Sequence, residues 1–274
     1  MRRTRICTAL VAVGTLGLVL VAVAVAATIN GTDEGERLRG TNFGDTINGN
    51  GGNDRIQAFG GDDIVSGGTG GDRIHAGDGI DQVNGDAGYD RIAGGDGNDA
   101  ALNGGEGRDR IAGGDGDDQI DGGARRDHLW GGNGADQTSG GGGNDRIAGG
   151  AGNDTSNGGE GNDLIFANVG VDESFGGPGN DDLWALARSD VNRSVDLDTT
   201  GDTLHGGDGN DRFHTRDGEV DTVDCGDGED TALLDHRDVI VGSTPESPNG
   251  ACEHVVRDEP KPKKKKKKGR HGDD

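Results

Sequence analysis

The stretch Gly104–Asp121 reads GGEGRDRIA followed by GGDGDDQID, and its spacing decides the fold. Each half is a nonapeptide with glycine at positions 1, 2 and 4, aspartate at 6 (Asp109, Asp118) and a branched aliphatic at 8 (Ile111, Ile120). Glycines at 1, 2 and 4 free the backbone for positive φ and tight turning. Positions 7 to 9 then read as a three-residue strand whose position 8 side chain faces inward. Turn and strand alternate every nine residues, so two turns close one coil of about 18 residues. Successive coils stack their strands in parallel, roughly 4.8 Å apart. The expectation is an all-β chain, a parallel β-roll (β-solenoid) in which residue n lies beside residue n+18.

The period extends well beyond that stretch. It is visible from Gly31, with Glu36 in the first acidic place, and continues through Asp45, Asp54, Asp63, Asp72, Asp81, Asp90 and Asp99. One extra residue enters within Ala100–Asn103, read as a bulge or lengthened turn at the surface. The frame then runs through Asp109, Asp118, Asp127, Asp136, Asp145, Asp154, Asp163, Asp172 and Asp181. It fails over 185–196 (ALARSDVNRSVD), an insertion or short helical excursion, and returns with Asp202 and Asp211. The apolar place is uneven: Ile120, Thr138, Ser156 and Ser174 follow one another by eighteen, whereas the alternate column reads Leu129, Ile147, Ile165, Leu183. One sheet is therefore expected to lose its aliphatic stripe between 138 and 174. Whether those hydroxyls meet the core, a wet seam or another chain is open at this point.

Composition explains why the coils need help. Among 274 residues, 29% are hydrophobic, 3% aromatic and 58 are glycine, so an ordinary globular core is not available. One buried aliphatic per nonapeptide returns less than the entropy of ordering nine residues costs. Stacking adds repulsion, because it sets Asp109, Asp127 and Asp145 in one column and Asp118, Asp136 and Asp154 in another. Carboxylates that close repel unless a cation lies between them. Carboxylate and turn-carbonyl oxygens in a flexible glycine loop suit calcium better than magnesium, which demands a small rigid octahedron. No Cys or His cluster points to a transition metal.

These GGxGxDxUx repeats, U being a large apolar residue, resemble the RTX family of hemolysin-type calcium-binding repeats across most of the chain. The resemblance implies a parallel β-roll with calcium between neighbouring turns on each edge, held by the position 6 aspartate and glycine-turn carbonyls. Carried onto this chain, it nominates Asp45, Asp54, Asp63, Asp72, Asp81, Asp90, Asp99, Asp109, Asp118, Asp127, Asp136, Asp145, Asp154, Asp163, Asp172, Asp181, Asp202 and Asp211 as metal ligands. Glu36 departs from the pattern, as do Ala58, Ala76 and Ala167 in the place of a first glycine. Relatives that join such repeats to catalytic or toxin domains leave more sequence outside the array than this chain does.

The flanks divide the chain further. Residues 1–27 carry Arg2, Arg3 and Arg5, an apolar run from Ile6 and an Ala24-Val25-Ala26 cleavage pattern, which reads as a secretory signal peptide; an uncleaved anchor is the alternative. The roll is expected over 28–214. Residues 215–258 have denser aliphatics and read as a cap over the last strand edge. With Cys7 removed in the signal, Cys225 and Cys252 remain, either as a disulfide or as two buried thiols. The tail, 259–274, is a lysine-rich segment that self-repels and stays disordered, serving solubility or attachment to an anionic envelope polymer.

The formal charge of −24 concentrates in the repeats, since the two flanks are basic, and this excludes nucleic acid as a natural partner. No nucleophile elbow, zinc helix or phosphate loop is present, and the histidines are scattered. The functional expectation is a secreted or cell-surface calcium-binding protein, not an enzyme, with no membrane span left after signal cleavage. The alternative is a calcium-dependent adhesion module for carbohydrate or protein, for which Trp130 and Trp184 would supply the aromatic contacts.

Overall fold

A computed structural model describes residues 25–186, 201–242 and 252–258. Most of the expected signal peptide, most of the 185–196 interruption and the lysine-rich tail lie outside them. The described chain is two twelve-stranded parallel sheets that take successive strands alternately, the first beginning at Thr28–Asn30 and the second at Arg37–Arg39. Arg110 pairs with His128 and Gln119 with Gln137, the register of eighteen that the sequence predicts. Within the described residues no helix is long and apolar enough to cross a membrane.

The strands are longer than the sequence suggests. Arg110–Asp115 is typical: six residues, positions 7, 8, 9, 1, 2 and 3, with only positions 4 to 6 left for the turn. Burial alternates along it, so that position 6 (Asp109), position 8 (Ile111) and position 1 (Gly113) all face the interior. Glycine at position 1 is thus a matter of room rather than of dihedral angle. Positive φ occurs at position 2, inside the strand, and at position 4, in the turn, as in Gly114 (131°) and Gly116 (127°). Gly113 is not among the positive-φ residues, but a methyl group there would land on Asp118 Oδ2 and the Gly131 carbonyl.

Irregularities are absorbed without loss of frame. Ala100, the extra residue, is an exposed bend, and Leu102 takes the inward place beside Val83. Across the 187–200 segment Glu173 pairs with Thr203 and Asp182 with Arg212, so one coil is thirty residues long and its neighbours stay in register. Residues 215–258 add further strands to the same two sheets, ending with Val239–Ile240 in the first and His254–Arg257 in the second.

The core is one row of aliphatics per sheet, and it is broken once. One cluster runs from Ile29 to Ile165 and a second from Leu183 to Cys252. On the first sheet, between Ile120 and Leu204, Thr138, Ser156 and Ser174 occupy the inward places and are at most 4% exposed. The hydroxyls therefore meet the core, and Thr138 donates to Ser156 at 3.0 Å.

Candidate metal centre

The site is a ladder, because register places each position 6 aspartate one coil above the last. Oδ1 of each accepts the backbone N–H of its predecessor: Asp109 donates to Asp127 at 2.7 Å, and Asp118 to Asp136 at 2.9 Å. The ladder passes the long coil intact, with Asp172 donating to Asp202 at 3.0 Å and Asp181 to Asp211 at 2.8 Å. Two columns result, one along each edge of the roll. The eighteen aspartates nominated from the sequence all lie in these columns and all are buried.

The second oxygen differs from the first. Among the described residues Oδ2 is buried and accepts no hydrogen bond in Asp54, Asp63, Asp72, Asp81, Asp90, Asp99, Asp109, Asp118, Asp127, Asp136, Asp145, Asp154, Asp163, Asp181 and Asp211. A buried charged oxygen without a donor is costly. Burial accordingly raises these carboxyls from their ordinary 3.8, to about 6 for Asp54, Asp63, Asp118, Asp145, Asp154 and Asp211. Asp90, Asp99 and Asp181 rise to about 7 and Asp127 to about 8. Loss of water is the largest cause; the ladder N–H opposes it, and the carboxylates above and below in the column add to it.

The orphan oxygen faces another oxygen. Above Gly122, a point 2.7 Å from Asp127 Oδ2 is also 2.7 Å from the Gly140 carbonyl oxygen of the next coil. The same pairing recurs above Gly113, with Asp118 and Gly131, and above Gly140, with Asp145 and Gly158. Carboxylate and carbonyl oxygens that converge on one buried place are the donor set of a hard cation, and they fit calcium.

The first two turns are built differently. Thr32 and Thr41 stand at position 2, and their N–H groups donate to Glu36 Oε2 (2.8 Å) and Asp45 Oδ2 (2.6 Å). Neither threonine is among the positive-φ residues, whereas glycine in that place usually is. The dihedral at position 2 thus decides whether the turn satisfies its own carboxylate or leaves it for a cation. The positions with Ala58 and Ala76 keep the orphan oxygen, at Asp63 and Asp81.

Several participants escape a count by nines. Asp202 donates to Asp221 (2.8 Å), Asp211 to Asp230 (2.9 Å), Asp221 to Asp238 (3.3 Å) and Asp230 to Glu253 (2.9 Å), which extends both columns to the end of the roll. The steps there are 19, 19, 17 and 23 residues, so the period hides them. Burial and the neighbouring Asp217 push Asp221 up to about 8. Asp217, Glu219 and Asp221 bring carboxylate oxygens within 4.8 Å of one another. Position 5 forms a second ladder of opposite sense, in which Asn or Asp Oδ1 accepts the N–H of the next coil, as Asn53 does from Gly71 and Asn162 from Asn180. The frequent Asn before the aspartate was its only signal.

The family model of the RTX calcium-binding nonapeptide repeat matches residues 39–74, 75–100, 101–124, 113–147, 148–183 and 198–232, which is more than half of the chain. No curated protein matches it.

Proposed function

The chain belongs to the RTX calcium-binding nonapeptide repeat family, and from that premise we propose that it is a secreted structural protein of the cell surface whose roll forms when calcium enters the turn columns after export. Calcium binding itself follows from the repeats. The observation that carries the rest is the column of buried Oδ2 atoms without donors.

The nominated aspartates from Asp54 to Asp163, with Asp181 and Asp211, would hold the ions through Oδ2, with Oδ1 retained by the backbone ladder, and Asp172 and Asp202 continue the same columns. Asp45 is the weakest of the set, since Thr41 already serves both of its oxygens. A bound calcium supplies positive charge where like charges would otherwise face one another in a low-dielectric interior. The columns continue to Asp221, Asp230 and Asp238, which are buried in the same way. Each site that exists only in the folded state adds RT ln(1 + [L]/Kd) to stability, so many weak sites give a steep transition. Extracellular modules of this kind bind at about 0.1 to 1 mM, a concentration met outside cells.

Cys225 and Cys252 sit with Cα atoms 5.4 Å apart, within the reach of a disulfide. An oxidising compartment would join them and tie the last coil down. Nothing in this reading needs catalysis. Far-UV circular dichroism of residues 28–274 during a calcium titration tests it: the expected course is coil turning to strand, with several ions bound per chain by equilibrium dialysis. Strand content that excess chelator leaves unchanged at neutral pH would overturn it.

A further inference from the structure

The outer face of the second sheet carries a column of cations that the calcium sites do not use. Arg37, Arg55, Arg73, Arg91 and Arg110 all occupy position 7, and each is in register with the next. The column continues through His128 to Arg146. Neighbouring strands lie about 4.8 Å apart, so five guanidinium groups are stacked at the spacing of the sheet. All five arginines are exposed, and none forms an ion pair with the described residues.

In a chain of net charge −24 this is unusual. From Arg37 to Phe166 no acid stands at either outward place, 7 or 9, of that sheet. The position 6 aspartates that precede these arginines are buried in the turn column, and the outward acidic row of the same strands, Asp78, Asp96 and Asp115, is at the far end, about 16 Å along the chain at roughly 3.3 Å per residue. The local field is positive enough that His128, lowered first by burial, is lowered further by Arg110, Arg126, Arg146 and Arg108. A cleft of about 1100 Å³ runs along the column, with Tyr89 (65% exposed) on its wall and Glu34, Glu36 and the column aspartates Asp54, Asp72 and Asp90 also lining it. Aligned like charges repel, and only a ligand with anions repeated along one axis neutralises them all.

Position 9 of the same face adds one exposed flat surface. Trp130, 41% exposed, lies in the column that leads through Ala148 and Phe166 to Trp184. A row of arginines that can pair with carboxylate or sulfate, beside the exposed Trp130 ring on which a sugar ring can lie, suits a polymer that has both. We propose that this face binds a linear anionic polysaccharide, laid along the roll axis with its acidic groups on the arginine column. A nucleic acid duplex is a poorer fit, because a broad polyanion would also meet the acidic turns flanking the column.

The test uses the calcium-loaded full chain and labelled polymers in anisotropy titrations. Hyaluronan presents carboxylates, dextran sulfate presents sulfates, and neutral dextran and a DNA duplex serve as comparisons. Binding is expected to one or both anionic saccharides, none to neutral dextran, and at least about tenfold less to DNA. The triple variant Arg55→Gln, Arg73→Gln, Arg91→Gln should bind about tenfold or more weakly, as three exposed charge contacts imply. Trp130→Ala should weaken binding with every arginine in place. Circular dichroism in calcium separates loss of this site from loss of the roll, since all four substituted side chains are exposed. The proposal is overturned by a folded triple variant that binds like the parent, by DNA binding as tight as saccharide binding, or by no binding to either anionic saccharide. Self-association in sedimentation that the triple variant abolishes would also overturn it, assigning the face to a second copy.

Discussion

At the scale of single residues, adjacent glycines can have opposite importance. Gly141 has φ 93° and a methyl there would strike the Gly123 carbonyl, whereas Gly142, without positive φ, has open space in the same direction. Gly141→Ala should therefore cost about 1 to 3 kcal/mol and Gly142→Ala almost nothing, a contrast that urea unfolding in saturating calcium would measure. Arg125 occupies a position 4 with φ 79°, a conformation that costs a side-chain-bearing residue about 1 to 2 kcal/mol. Arg125→Gly should accordingly raise stability by about 1 kcal/mol; an unchanged midpoint would mean that its side chain compensates. Position 8 was readable from the sequence because Ile111 and Ile120 announce it. Position 1 was not, because glycine has no side chain whose polarity reveals that Gly113 faces inward.

Among the elements, the weak rung is the hydroxyl pair in the first sheet. Replacing one partner of the Thr138 to Ser156 bond would strand the other, but replacing both removes a buried polar pair and extends the apolar run from Ile120 to the coil before Ser174. Thr138→Val with Ser156→Val should lower the calcium concentration at the folding midpoint, while Ser156→Val alone gains less. The aspartate columns make a matching prediction. In Asp127→Asn the side-chain oxygen can still accept from Asp109, and the charge between Asp109 and Asp145 is gone. Fewer ions should then bind by dialysis, and the metal-free chain should be less unfavourable to fold. The columns were legible from Asp45 to Asp211 because nine-residue spacing held. It breaks after Asp211, and the last carboxylates, Asp221, Asp230, Asp238 and Glu253, emerge only from their hydrogen bonds to the coil before.

For the whole molecule, protons and calcium compete for the same oxygens. Folded carboxyls at about 6 to 8 lie above the ordinary 3.8, so folding takes up protons. The metal-free roll has this contribution in full below about pH 3.8 and loses it as pH climbs toward 8. In chelator, strand content should rise as pH falls from 7.5 to about 4; if it stays flat, the columns do not govern stability. In calcium the same interval should show little change until protons displace the metal. The architecture was legible from one eighteen-residue stretch, because a strict period leaves few ways to stack. The arginine column escaped that reading although its spacing was in plain view, since position 7 carries no fold information.

Successive nonapeptides alternate between the two sheets, and this makes the molecule a parity counter. Each nonapeptide turns inward at the same positions, so excising nine residues, such as 113–121, should leave a roll that still closes. It would also transfer every later strand to the opposite side, sending Arg146 and Trp184 away from Arg37. Excising eighteen, 104–121, shortens the rod and preserves both faces. Lineages of this architecture should therefore gain and lose length freely in whole coils, and resist half-coil edits wherever one side of the rod has a job.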